Sequence, residues 1–285
     1  MLVSTKDMLL KAQKEHYAVG NFCIWNVEML SGVMEAAEEL KSPLILSFGS
    51  GFLANTNIDH FIKMMRSYAE STSLPCSIHW DHGRNMAIVS HAIDIGYNSI
   101  MIDGSAKPFE ENIRMTKEVV DKFHPMGIPV EGELGHIANM GMSYEEALKG
   151  YNYTDPEEAR IFAEKTGVDL LAIGVGNQHG AYTAKPQIRF DIIEAVRNKV
   201  SIPLVLHGAS GIPDDDISHA IDLGITKINI HTELCEAAMS AIDAKRPDEL
   251  YLELNQDVRA AVKKRTEEKI MLFRSNGKAE GWFEK

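Results

Sequence analysis

Eight short β-rich apolar runs recur along the 285-residue chain, each followed by a turn and a longer amphipathic stretch. They are 18–24 (AVGNFCI), 43–50 (PLILSFGS), 75–82 (PCSIHWDH), 99–105 (SIMIDGS), 129–135 (PVEGELG), 170–176 (LLAIGVG), 203–210 (PLVLHGAS) and 227–232 (KINIHT). Their starts lie 25, 32, 24, 30, 41, 33 and 24 residues apart, close to the roughly 30 residues of one βα unit. Pro43, Pro75, Pro129 and Pro203 open four of the runs, where the first residue of a strand can lack its N–H. Strands alternating with helices demand a parallel sheet, and eight such units predict a closed (β/α)₈ TIM barrel in a single domain over 1–285.

The stretches between the runs carry helix signals. Val27–Leu40 places Leu, Met and Ala at helical spacing. Asp155-Pro156-Glu157-Glu158 supplies a cap, a proline at the first helical position and a carboxylate at the third. Residues 4–16 predict a helix that closes the bottom of the barrel. The 41-residue interval makes 136–153 a long βα loop after strand five. The 53 residues after 232 exceed what one helix needs, so extra C-terminal helices are expected, with apolar residues of Val258–Phe273 covering the barrel or a partner subunit. A homodimer or homotetramer is the expected assembly.

Composition narrows the function classes. A net charge of −12 argues against a nucleic-acid binder held by phosphate neutralisation. No apolar stretch approaches the length of a membrane span. Cys23, Cys76 and Cys235 form no CxxC pair and read as reduced thiols of a cytoplasmic protein.

Active sites of such barrels lie at the C-terminal ends of the strands, and that face is rich in chemistry. Strand three ends in His79, Asp81 and His82, strand five in Glu131 and Glu133, strand seven in His207, and strand eight in Asn229 and His231; Asn177 and His179 follow strand six. Five of the eleven histidines therefore share one face. His82, His179 and His207, from three strand ends, suit a catalytic zinc with one open position; the alternative is that each bonds loop backbone. Asp81 offers a carboxylate beside that metal, or a helix cap. Glu133 is an inward carboxylate near the metal, and Asp103 either orients a ligand histidine or caps the next helix. Gly208-Ala209-Ser210-Gly211 and Asn229-Ile230-His231-Thr232 fall where such barrels bind phosphate, with Ser210 and Thr232 adding hydroxyls and Gly180 a close backbone approach. Tight turns are the alternative there.

Over nearly its whole length the chain resembles the class II, zinc-dependent ketose-bisphosphate aldolases, including the tagatose- and fructose-bisphosphate enzymes and the inositol-pathway ketose-phosphate aldolase. The resemblance rests on HWDHG (79–83), MIDGS (101–105), ELG (133–135), GNQHGAY (176–182), PLVLHGASGIP (203–213), KINIHTE (227–233) and SNGKAE (275–280). It implies one catalytic Zn²⁺ on His82, His179 and His207, a monovalent cation as a second ion, and Asp81 as acid/base with Glu133 as a further catalytic carboxylate. It also implies that Gly180, Gly208 and Ser210 hold the phosphate of the ketose, with Asn229, His231 and Thr232 beside it. The implied reaction is reversible aldol cleavage of a ketose 1-phosphate or 1,6-bisphosphate to dihydroxyacetone phosphate and an aldehyde. A barrel that binds sugar phosphate without turnover is the other reading; a metal-dependent hydrolase lacks its His-x-His on strand one, where residues 22–26 read FCIWN.

Two departures stand out. Where the family carries Gly-Gly-x-Glu-Asp, this chain reads Ala138-Asn139-Met140-Gly141-Met142, so the loop carboxylate that moves the C3 proton is missing. Glu145 or Glu146 is the expected replacement, or else the substrate differs from ordinary hexose bisphosphates; the alternative is that both glutamates are solvated residues on a short helix, which leaves Glu133 or His231 as the next candidates. His231 stands where the family often has Asp or Ala. Lys227, read as lying at the start of strand eight, is expected at the wrong end of the barrel for Schiff-base chemistry.

Overall fold

The computed structural model describes residues 1–50, 56–135, 143–149 and 151–282. Eight parallel strands close into a barrel in sequence order: β1 (Val19–Cys23), β2 (Leu44–Gly49), β3 (Cys76–Gly83), β4 (Ser99–Ile102), β5 (Val130–Leu134), β6 (Leu170–Ile173), β7 (Leu204–Leu206) and β8 (Ile225–Ile230). The expected barrel is observed, and β8 pairs back to β1 through Val19↔Lys227 and Asn21↔Asn229. Nearly every strand residue is buried, as a sheet covered by helices on its outer side requires.

Helices follow the strands: α2 (Val27–Glu39), α3 (Ile58–Ser71), α4 (Met86–Ile95), α5 (Phe109–Phe123), α6 (Tyr144–Lys149) and α7 (Pro156–Thr166), α8 (Phe190–Arg197), α9 (Asp214–Asp222) and α10 (Thr232–Asp243). Their starts are chemically defined. Asn26 caps α2 by accepting from Met29 N at 2.9 Å, and Asn85 caps α4 through Ile88 N at 3.0 Å. Asp155 accepts from Glu157 N and Glu158 N at 2.8 and 2.9 Å, as its motif predicts. The long loop after β5 carries α6; the expected loop residues Ala138–Met142 lie outside the described residues.

Helix α1 (Thr5–Lys14) corks the barrel. Its Met8, Leu9 and Ala12 pack with Tyr17, Val19, Ile45, Leu170, Ala172 and Val205 in a core cluster separate from the one between sheet and helices. Fully burying side chains of this size stabilises by roughly 1.5–3 kcal/mol each. Above this layer the interior turns polar, with Ser77, His79, Ser99, Glu131 and Lys227 fully buried.

One expectation needs correction, and one pair of alternatives is decided. β8 begins at Ile225, because Ile225 pairs with Leu204 of β7. Lys227 is therefore the third residue of its strand, opposite Val19 and Val205, inside the barrel and not at its base. The apolar stripe of 258–273 is spent on the chain's own barrel. In helix α11 (Tyr251–Leu272), Val258, Val262 and Ile270 are buried, as is Phe273 just beyond it. The approach of α11 to α2 is close: a side chain on Gly32 would meet Arg259 O at 2.7 Å. Among the described residues no helix is long and apolar enough to cross a membrane.

Candidate active site

The end of β3 breaks the rule that neighbouring strand residues face opposite ways. Its register against β4 shifts between Trp80 and Gly83, the mark of a bulge that re-aims side chains. His82 takes a φ of +52°, a left-handed conformation uncommon for a residue with a Cβ. Ser50 Oγ donates to its carbonyl and helps hold it there. Asp81 and His82 consequently face the same space, with Asp81 Oδ2 4.0 Å from His82 Nε2.

His82, His179 and His207 converge, as the strand-end argument expects. One ligand atom from each lies within 4.8 Å of the others, and ring centroids are 4.8–5.9 Å apart. Two of the rings have their outer nitrogens committed to carboxylates. His82 Nδ1 bonds Asp103 Oδ2 at 3.0 Å, and His207 Nε2 bonds Glu131 Oε1 at 2.7 Å. Each ring thereby directs its other nitrogen inward, and His82 Nε2 and His207 Nδ1 stand 3.1 Å apart. Among the described residues, His179 Nε2 is buried without a hydrogen-bond partner. Imidazoles held by carboxylates, with lone pairs converging, form a donor set that fits a divalent metal. Asp103 thus orients a histidine, and its other oxygen accepts from Ser105 N at 3.1 Å in a local turn; it does not cap α5, whose N-cap is Pro108.

The electrostatics favour a cation at this point. Burial alone would lower the pKa of His82, but Asp81, Asp103 and Glu133 outweigh it and raise it to about 10. Burial, with the neighbouring His82 and His207 second, drives His179 well below its ordinary value. Burial would raise Asp81, yet His82, His207 and Lys227 hold its carboxyl well below the usual carboxylate range. Glu133 goes the other way: burial first and Asp103 second push it well above that range. Its Oε2 lies 3.9 Å from His207 Nδ1. Two carboxyl groups in one site thus sit at opposite ends of the protonation scale, the pattern of an acid and a base.

Beneath them lies a layer that sequence spacing does not disclose. Glu131 Oε2 pairs with Lys227 Nζ at 3.0 Å, both side chains fully buried. Burial would raise Glu131, but Lys227 and then His207 draw it down to about 2. Lys227 Nζ also donates to Asn229 Oδ1 at 2.9 Å, and Asn229 Nδ2 reaches both Asp81 oxygens at 3.3 Å. Asn229, expected beside a phosphate, turns its amide onto Asp81.

The segments following β6, β7 and β8 meet at one side of the histidines. Gly208 has a φ of +57°, and a Cβ there would come within 2.2 Å of Gln178 O; only glycine fits. Gly180 has a φ of +90°. Ser210 Oγ accepts from His231 N and Glu233 N, each at 3.3 Å, tying the loop after β7 to the start of α10, where Thr232 is the first residue. Glu233 Oε1 in turn accepts from Gly211 N at 2.9 Å. The His231 ring lies 5.1 Å from that of Trp25, and its Nε2 is 3.4 Å from Cys235 Sγ. Tyrosines brace the loop after β6: Tyr182 donates to Gly208 O and Tyr144 to Gly176 O, both at 2.8 Å. Tyr151 donates to Asn177 Oδ1 at 2.8 Å. Their only sequence signal is a cluster of tyrosines around the loop. Glu145 and Glu146 stand exposed on α6, and Glu146 Oε2 accepts from Ser143 Oγ at 2.8 Å.

Comparison with known proteins identifies relatives of this barrel. Residues 3–278 match the family described as fructose-bisphosphate aldolase class-II. The crystal structure of the YdjI aldolase from Escherichia coli K12 superposes with a TM-score of 0.88 at 52% identity, covering 98% of this chain and 100% of that one. The D-tagatose-1,6-bisphosphate aldolase subunit GatY of Klebsiella oxytoca is 41% identical over 245 residues, 85% of each chain. The sulfofructosephosphate aldolase of Alkalicoccus urumqiensis is 38% identical over 282 residues, 97% of this chain and 98% of that protein. With the closed barrel and near full-length matches in agreement, the chain belongs to the class II fructose-bisphosphate aldolase family and is an aldolase, a carbon–carbon lyase.

Proposed function

We propose that this aldolase cleaves a ketose 1-phosphate or 1,6-bisphosphate reversibly to dihydroxyacetone phosphate and an aldehyde, with zinc as its metal. The observation that carries the reading is the convergence of three imidazole nitrogens beside the carboxyl groups of Asp81 and Glu133. Breaking the C3–C4 bond leaves an electron pair on C3, and zinc held by His82, His179 and His207 supplies the electrophilic pull on the adjacent C2 carbonyl. Asp81 takes the C4 hydroxyl proton in cleavage and returns it in condensation. Glu133, buried with its Oε2 3.9 Å from His207 Nδ1, is the group suited to move the C3 proton. Gly180, Gly208, Ser210 and Thr232 hold the phosphate through backbone N–H and hydroxyl groups, with His231 flanking the rest of the sugar. An imine route would need a free lysine, whereas Lys227 is committed to Glu131 and Asn229.

The test is turnover of a panel of ketose 1-phosphates and 1,6-bisphosphates before and after chelation, with metal content measured in His82→Ala, His179→Ala and His207→Ala. Release of dihydroxyacetone phosphate that chelation abolishes and zinc restores is the expected result. Chelator-resistant turnover, or full metal occupancy in all three variants, would overturn the reading.

Assembly into a homodimer or homotetramer is part of the same proposal. Its support is an apolar surface at the α10–α11 junction, where Met239, Ile242, Leu250, Tyr251 and Leu252 are exposed. Free thiols at Cys23, Cys76 and Cys235 support work in the cytoplasm.

A further inference from the structure

We propose that Lys227 is a positioning residue whose single ammonium orients both halves of the site, His207 through Glu131 and Asp81 through Asn229. The inference rests on the metal-dependent reading above and adds a residue that touches neither metal nor substrate.

The argument begins with where the ammonium lies. Lys227 has no exposed surface, and its register partners on both sides are valines. A lysine wholly out of water persists only where its partners repay the lost hydration. Among the described residues it has two partners, Glu131 Oε2 at 3.0 Å and Asn229 Oδ1 at 2.9 Å.

Each contact removes an ambiguity further on. An asparagine side chain carries an acceptor at one end and donors at the other, and a lysine can only donate. With Lys227 on Oδ1, the amide of Asn229 must turn its Nδ2 towards Asp81, where it spans both oxygens at 3.3 Å. The base is thereby aimed by a group that cannot flip. Glu131 receives Lys227 on one oxygen and accepts from His207 Nε2 on the other at 2.7 Å. That bond fixes the tautomer of His207 and points its Nδ1 towards His82. Charge balance alone would need only the contact with Glu131; the second contact, to Asn229, is what joins base to ligand.

The test uses Lys227→Met and the charge-neutral Lys227→Met/Glu131→Gln double variant. Two readouts serve: zinc affinity by chelator competition on substrate-free protein, and kcat and KM at saturating zinc. Lys227→Met is expected to weaken zinc binding by roughly 10- to 100-fold, the usual effect of disturbing a ligand's hydrogen-bond partner. Its kcat at saturating zinc should fall by about 10-fold or more while KM moves less, since a misaimed base slows chemistry more than binding. The double variant should regain thermal stability without regaining zinc affinity or kcat. A Lys227→Met protein with wild-type affinity and kcat, or a double variant that recovers both, would overturn the proposal and leave Lys227 a counter-charge only. Failure of the underlying reading would show elsewhere, in a wild-type chain that binds no zinc.

Discussion

Asp81 has both oxygens spanned by Asn229, and His82, His207 and Lys227 outweigh burial to keep it ionised. Asp81→Asn keeps the shape and removes the titratable oxygen, so turnover should fall by roughly 10²- to 10⁴-fold with zinc content unchanged. Steady-state rates paired with metal analysis check this, and an unchanged rate would make Asp81 structural. His79 gives a separate pH signature. Its ring is fully buried with Nδ1 on Ser99 Oγ at 2.8 Å, and burial first, then the charge of Lys227, lowers its pKa from 6.5 to about 3. Below pH 6.5 the unfolded chain takes up a proton that the folded chain refuses. The stability tied to His79 is therefore whole above pH 6.5 and drains away as pH falls towards 3. Denaturant midpoints across that interval should decline in the wild type and less steeply in His79→Gln; equal slopes would mean that His79 is not held neutral.

The strands were readable because each is a short apolar run, four of them opened by proline, and the histidines because they cluster where those runs end. What escaped the sequence depends on register. Two residues at the start of β8 decide whether Lys227 lies at the bottom of the barrel or inside it, and no spacing argument resolves two residues. Likewise, His82 shares a side with Asp81 only because β3 bulges, whereas alternation alone would separate them. Glu131 and Glu133 were visible as a pair, but the division of labour between them follows from partners on β7 and β8. The loop after β7 offers a test of element geometry. Gly208→Ala would place a Cβ on Gln178 O in a backbone conformation that L residues avoid, costing about 1–3 kcal/mol. A lowered melting temperature together with a raised KM is expected; a neutral substitution would show that the loop adapts.

For the molecule as a whole, the surface at the α10–α11 junction carries the assembly prediction. Leu252 is 72% exposed beside Tyr251 at 74%, an unusual price of surface for side chains of that size. Sedimentation should find a dimer or tetramer, and Leu252→Arg should shift it towards monomer; a monomeric wild type at micromolar concentration would refute the interface. The cork formed by α1 has a consequence for traffic. Met8, Leu9 and Ala12 shut one end of the barrel, so on the proposed reading sugar phosphate and ion would share the doorway at the opposite end. A bound ketose phosphate would then stand between the ion and any chelator outside. Saturating dihydroxyacetone phosphate should slow zinc extraction in proportion to its occupancy, while equal extraction rates with and without it would reveal a second way out.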